Sequence, residues 1–229
     1  MCQVVSSRLA RPSQGGSTGG STGGSTAGWL SRPEGVLDAL RVASAHMSQP
    51  QDPLPGEGWA IGPDGMARRS AARVLLFDGL GRLLLVNAHD AQNPARHWWF
   101  TVGGGIDEGE SARDAAVREV REETGLEVDP ASLIGPVAVR SSVFDFFARH
   151  VRQDEEYFVA RLGGMAEHLV TTGWTAVERS FMDGLRWFTR QEIEALEVEV
   201  FPVELVQLLD NLVGGWDGTL RRLGDLSGS

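Results

Sequence analysis

The chain has a single cysteine, Cys2, in 229 residues. One thiol cannot form an internal disulfide, so no disulfide framework holds the fold. Long apolar runs are also missing. None approaches the ~20 residues needed to span a bilayer, and the start, Met1 to Arg8, has no apolar core of signal-peptide length. A reduced, cytoplasmic protein is the expectation. Basic charge is scarce: 21 Lys and Arg stand against 31 Asp and Glu, a net charge of −10. That argues against a general affinity for nucleic acid, which needs a basic surface. It does not exclude a phosphorylated small molecule, because a bound divalent cation inverts the local field of an acidic pocket.

Composition is otherwise that of a folded domain, 41% hydrophobic and 23% charged. Residues 1–66 read as a low-complexity N-terminal region, with Gly-Gly-Ser-Thr recurring over 14–28 and a short amphipathic segment over 33–47. Met47 and Met66 are candidate translation starts, which would make the upstream residues dispensable. Residues 67–213 carry the apolar patterning of one domain, and 214–229 read as a tail.

Within the domain, Ala71–Phe77 and Arg82–Val86 flank the turn Asp78-Gly79-Leu80-Gly81 and predict a hairpin. Further strands are expected over His97–Val102, Ile134–Phe147, Tyr157–Leu162 and Leu185–Phe188. Helices are expected over Ser111–Thr124, from a Thr189 cap through Leu196 with Glu192 at the capping-box position, and over Phe201–Val213. The order hairpin, strand, helix, strands, helices predicts an α/β fold whose sheet is not all parallel.

The densest chemistry lies between Gly103 and Leu126. Glu119, Glu122 and Glu123 stand at i, i+3 and i+4, which places three carboxylates together on a helix. Such acids repel one another unless a cation sits between them, and a hard divalent ion takes oxygen ligands of this kind. A solvated face paired with Arg113, Arg118 and Arg121 is the ordinary alternative. The wider register decides against it: Gly104, Glu110, Arg118, Glu119, Val120, Glu122, Glu123, Gly125 and Leu126 hold fixed offsets. Nine such matches arise by chance in well under about one in a million chains of this length.

These nine residues resemble the Nudix box, and the chain is similar to Nudix hydrolases from about Arg68 to Leu212. The resemblance implies an α/β/α sandwich around a mixed sheet, a Mg²⁺ or Mn²⁺ cofactor and hydrolysis of a nucleoside diphosphate linked to another moiety. It implies Glu119, Glu122, Glu123 and a later strand acid, Glu156 in preference to Glu155, as metal ligands. Glu122, Glu178 and Arg118 are the catalytic candidates, Arg118 as an organiser of the acids and Glu178 as a general base with Asp183 its competitor. Glu110 is expected to brace Arg118, and Gly103, Gly104 and Gly105 to offer amides to a phosphate. Trp98 and Phe100 should share one strand face and Trp99 the other, with Arg96 and His97 at the pocket entrance. The expected partner is a small nucleotide derivative, neither nucleic acid nor membrane; a homodimer is compatible with the sequence. A catalytically silent nucleotide-binding module is the rival reading. Substrate markers are lacking: Ser141 and Phe144 stand where related enzymes carry a proline or a tyrosine, and Val102 replaces a proline before the glycines.

Overall fold

A computed structural model describes residues 54, 58–90, 93–146, 149–166 and 168–224. The low-complexity stretch over 14–28 and the amphipathic segment over 33–47 lie outside the described residues.

The elements in chain order are β1 (Ala60–Ile61), β2 (Ala67–Phe77), β3 (Leu83–Asp90), β4 (Asn93–Thr101), α1 (Ala112–Thr124), β5 (Ile134–Phe146), β6 (Arg149–Arg161), β7 (Met182–Phe188), α2 (Arg190–Glu194), β8 (Glu199–Phe201), α3 (Leu205–Asp210) and β9 (Arg221–Leu223). The strands form one mixed sheet in the order β8-β4-β3-β2-β6-β5-β9, with β1 on β2 and β7 on β3. The β2–β6, β4–β8 and β5–β9 pairs are parallel and the others antiparallel.

The expected hairpin is present only at its turn. Asp78 is buried, and its carboxylate accepts from the backbone of Leu80 and Arg82, while Gly81 supplies the left-handed residue at φ 74°. Past the single pair Phe77–Leu83, the strands part. β3 goes on to pair with β4 and β7, and β2 lies along β6 over its whole length. The place β3 vacates is taken by the glycine loop, since Val74 N donates to Val102 O and Ala72 N to Gly104 O. This parting opens the sheet between β2 and β4, beside a large cavity.

Helix α1 is held at both ends by local chemistry. The Ser111 side chain accepts from Asp114 N, and Gly125 closes the helix at φ 72°. Ala115, Ala116 and Val120 pack on Ala72, Val74, Leu84, Val86 and Phe158 on one face of the sheet. Alternation sends Leu75, Leu83, Leu85, Tyr157 and Val159 to the opposite face, where α2 and α3 cover them with Ile193, Leu205 and Leu208. Thr189 and Glu192 form the expected capping box of α2. The architecture is thus an α/β/α sandwich.

Two regions read as peripheral contribute structure. Trp59 and β1, upstream of residue 67, pack on the domain, with Trp59 buried against Ala67 and Val151. In the stretch read as a tail, β9 adds a parallel edge strand to β5. The last helix is shorter than Phe201–Val213, because Glu199–Phe201 pairs with β4.

Candidate functional site

A cavity of about 690 Å³ lies beside the glycine loop. Its polar side is built from α1, the loop over 103–105 and the segment over 171–181. Its inner wall comes from β2, β5 and β6, and aromatic side chains including Trp98, Phe100, Phe144 and Phe181 complete it.

Glu119 and Glu123, one helical turn apart, are both buried. The loop makes room for them. A Cβ on Gly104 would lie 2.6 Å from a Glu119 carboxylate oxygen, and one on Gly103 would lie 2.1 Å from the Ala72 carbonyl. Gly103 adopts φ 127°, and its N–H donates to Glu123 Oε2 at 2.9 Å. The expectation that all three glycine amides serve a phosphate is therefore corrected at Gly103, whose amide is already spent on Glu123. The three carbonyls are also engaged: Gly103 O by Arg73, Gly104 O by Ala72 N and Gly105 O by Arg118.

Arg118 organises the acids. Its Nε and Nη2 grip both oxygens of Glu110 at 2.9 and 2.8 Å, and Nη1 reaches Glu119 at 2.8 Å and Glu122 at 3.1 Å. The bidentate hydrogen bond from Arg118 holds the Glu110 carboxyl below its usual range. Glu110 also accepts from Asp107 N, tying the loop to the helix. Glu122 is turned to the rim, its side chain 41% exposed, so the three helix acids do not share one setting.

The third acid of the cluster comes from far along the chain. Glu119, Glu123 and Glu178 each offer an oxygen within 4.8 Å of the others. The segment carrying Glu178 is pinned to the end of α1: Trp174 Nε1 donates to Glu123 O at 2.9 Å, and Val170 N to Thr124 O at 2.8 Å. Gly173 allows this approach, since a Cβ there would lie 2.3 Å from Glu122 O. Thr175 then donates from N and Oγ1 to Glu178 Oε2 at 2.7 and 2.9 Å, which orients the carboxylate.

Burial raises the carboxyl pKa of Glu119, opposed by Arg118 and reinforced by Glu178 and Glu122. Burial raises Glu123 further, with the Glu119 charge adding to it. Carboxylates crowded together with so little compensating charge fit a hard divalent cation, which would take oxygens at about 2.0–2.6 Å. Among the described residues these three acids are the group placed to hold one.

The strand acid is reassigned. Glu155, not Glu156, faces the pocket, because the parity of β6 puts Glu155 with Gln153 and Tyr157 while Glu156 falls on the side of Phe158. Glu155 is not open to a metal. It is buried and bound by Arg73 at 2.9 Å, Arg140 at 3.4 Å, Tyr157 Oη at 2.9 Å and Gln153 Nε2 at 2.8 Å. Asp183, the competing base, is drawn off to His89 at 2.9 Å and His97 at 3.5 Å. Arg96 is engaged with Glu199 at 2.6 Å. Trp98 and Phe100 line the cavity together, as alternation requires, and Trp99 packs edge-on to Phe188 on the other face. Sequence reading passed over Arg69, Gln153 and Trp59. Even spacing put Arg69 with Arg73 on one face of β2 and Gln153 with Glu155 on one face of β6, whereas Trp59 lies outside the strands and carried no such signal.

Fold and pocket together define a sandwich α/β protein with an arginine-braced carboxylate cluster lining a cavity large enough for a small molecule. A family model of the NUDIX domain matches residues 67–209, and the chain belongs to the Nudix family. An RNA pyrophosphohydrolase of Dinoroseobacter shibae is 40% identical over 75 residues, covering 31% of this chain and 45% of that protein. An RNA pyrophosphohydrolase of Erythrobacter litoralis is 33% identical over 104 residues, covering 42% and 62%. The chain thus spans less than two thirds of the length of these curated relatives. Among solved structures, the E. coli dihydroneopterin triphosphate pyrophosphohydrolase aligns with a TM-score of 0.43 at 22% identity, over 63% of this chain and 94% of that one.

Proposed function

We propose that the protein is a divalent-metal-dependent pyrophosphohydrolase acting on a nucleoside diphosphate linked to a second group. The observation that carries this reading is the convergence within 4.8 Å of Glu119 and Glu123, on a helix braced by Arg118, with Glu178 from the segment over 171–181. Glu119 and Glu123 would hold the cation from α1, with Glu122 at the rim. When bound, Mg²⁺ or Mn²⁺ would offset phosphate charge and acidify water.

The chain's own residues do the positioning. Arg118 fixes the rotamers of Glu119 and Glu122, and Gly103 fixes Glu123. Both Thr175 bonds fall on Oε2 of Glu178, so Oε1 is turned to other work. Glu178 is the proton acceptor: a water gives it a proton and its oxygen bonds to phosphorus. The anhydride P–O bond breaks, and the leaving phosphate carries away the electron pair. A nucleoside phosphate and a phosphate monoester, or inorganic phosphate, result.

The names of the curated relatives add an RNA carrying a pyrophosphate linkage as a candidate substrate. It contains the same anhydride, though the net charge of −10 offers RNA no general attraction. Hydrolysis of a panel of nucleoside triphosphates, sugar nucleotides, ADP-ribose, dinucleoside polyphosphates and triphosphorylated RNA should show turnover that needs Mg²⁺ or Mn²⁺. Nucleotide binding with no turnover of any member would reject this reading in favour of a silent binding module.

A further inference from the structure

Arg69, Arg73, Arg118 and Arg140 line the cavity. Three are ion-paired: Arg73 and Arg140 share Glu155, and Arg118 pairs with Glu110, Glu119 and Glu122. Arg69 has no carboxylate partner among the described residues. Its Nε and Nη2 both donate to Gln153 Oε1, at 3.0 and 2.6 Å, and its guanidinium lies 4.8 Å from the centroid of the Trp59 ring. Neither partner carries a charge. Withdrawal from water, with the nearby Arg73 charge, outweighs the pull of the Glu119, Glu155 and Glu178 carboxylates and lowers its pKa to about 10. A buried cation with no carboxylate in direct contact is costly, and its donors are suited to receiving an anion.

Gln153 has the right chemistry for that purpose. A guanidinium only donates and a carboxylate only accepts, so the amide must turn Oε1 to Arg69 and Nε2 to Glu155, as it does. The glutamine orients Arg69 and leaves its charge uncancelled, whereas a glutamate would cancel it. The seat is built into the backbone. Arg69 and Gln153 are directly opposite in the β2–β6 register, and a Cβ on Gly105 would come within 3.2 Å of Arg69 Cδ. Gly105 also takes the Arg118 bond, so the metal-side brace and Arg69 flank one glycine. Trp59, which covers Arg69, lies upstream of the matched residues 67–209.

We propose that Arg69, seated by Gln153 and Trp59, is an anion-binding subsite that takes a substrate phosphate other than the one at the glutamate cluster. This rests on the hydrolase reading and assigns the residue that would hold the second of the two linked phosphates. Calorimetry with Ca²⁺ present tests it on two probes, inorganic phosphate and pyrophosphate. The wild-type chain should bind pyrophosphate more tightly than phosphate. Arg69→Gln should weaken pyrophosphate roughly 10- to 100-fold, the loss expected for charge-assisted hydrogen bonds, and leave phosphate nearly unchanged. Gln153→Glu, which keeps Arg69 but neutralises it, should do the same, and Arg69→Lys should fall between. Thermal unfolding of each variant identifies any that fails to fold. Absence of pyrophosphate binding to the wild type, or affinities within about twofold of it in both folded variants, overturns the subsite. Arg69-dependent pyrophosphate binding without turnover of the substrate panel leaves the subsite standing and removes the hydrolase reading; turnover with an unchanged KM in Arg69→Gln does the reverse.

Discussion

Glu123 and Glu155 are both buried carboxylates on the wall of one cavity, yet their proton affinities move in opposite directions. Burial pushes both upward. At Glu155 the Arg73 and Arg140 charges, with a Tyr157 hydrogen bond, overcome it and hold the carboxyl below its usual range. At Glu123 only the Gly103 amide and the more distant Arg73 oppose burial, and Glu119 adds repulsion. One acid is a finished structural pair. The other is left short of positive charge, which is how a protein marks a place for a cation to enter.

The largest effect should come from removing that place. Glu123→Gln keeps the shape and can still accept from Gly103 N, but it lacks the charge that would hold a divalent ion. Turnover should fall at least about 100-fold. In metal-free buffer the variant should unfold at the wild-type temperature or above it, since a neutral amide replaces a desolvated charge. Wild-type kcat in Glu123→Gln would sink the ligand assignment. Glu155→Gln should show the opposite balance. It strands Arg73 and Arg140 without their counter-ion, and breaking a buried pair from one side costs about 3–5 kcal/mol. Chemical denaturation should reveal that loss with and without metal. A destabilisation that Mg²⁺ repairs would instead make Glu155 a ligand.

The two acids also predict a pH profile. Glu119 and Glu123 have folded pKa values above the ordinary 4.5, so the folded state binds their protons more tightly than the unfolded state. Their contribution favours folding below 4.5 and is lost as pH rises through the raised values. Glu155, with its pKa lowered, contributes above 4.5 and loses that contribution as pH falls. In EDTA, the unfolding temperature should therefore decline as pH climbs past 4.5 toward neutrality, and Mg²⁺ should flatten the decline. A metal-free profile that rises steadily to neutrality would contradict the raised values.

What was legible in the chain was what is local. The helix ending at Thr124 and the Thr189–Glu192 capping box depend on residues within a few positions and sit where the local pattern put them, whereas of the three helix acids Glu119 and Glu123 are buried together and Glu122 turns to the rim. What failed was non-local. The β2–β3 turn was readable, but the strands' departure from one another depends on the glycine loop filling the gap. Strands β8 and β9 have three residues each and exist only by pairing with β4 and β5. The Arg69–Gln153 contact joins residues 84 positions apart, in a register no local pattern encodes. At the candidate site, Glu178 could be singled out only through the family resemblance, and nothing in the sequence shows Trp174 fastening that segment to Glu123.

Strand parity supplies the mildest and most discriminating prediction. Alternation says that only one of Glu155 and Glu156 can face the cavity, but not which. The β2–β6 register decides it: Glu156 lies opposite Ala72, on the α1 side of the sheet, and is not among the residues lining the cavity. A half-buried acid with no place in either the carboxylate cluster or the Arg73–Glu155 pair should be nearly silent. Glu156→Gln should alter stability by no more than about 0.5 kcal/mol and leave kcat, KM and metal dependence as in the wild type. It is thus the control that separates an effect of site geometry from a general effect of removing negative charge near α1. A tenfold rise in the Mg²⁺ concentration needed for half-maximal turnover would reverse the assignment, because an acid facing away from the cavity has no route to that effect.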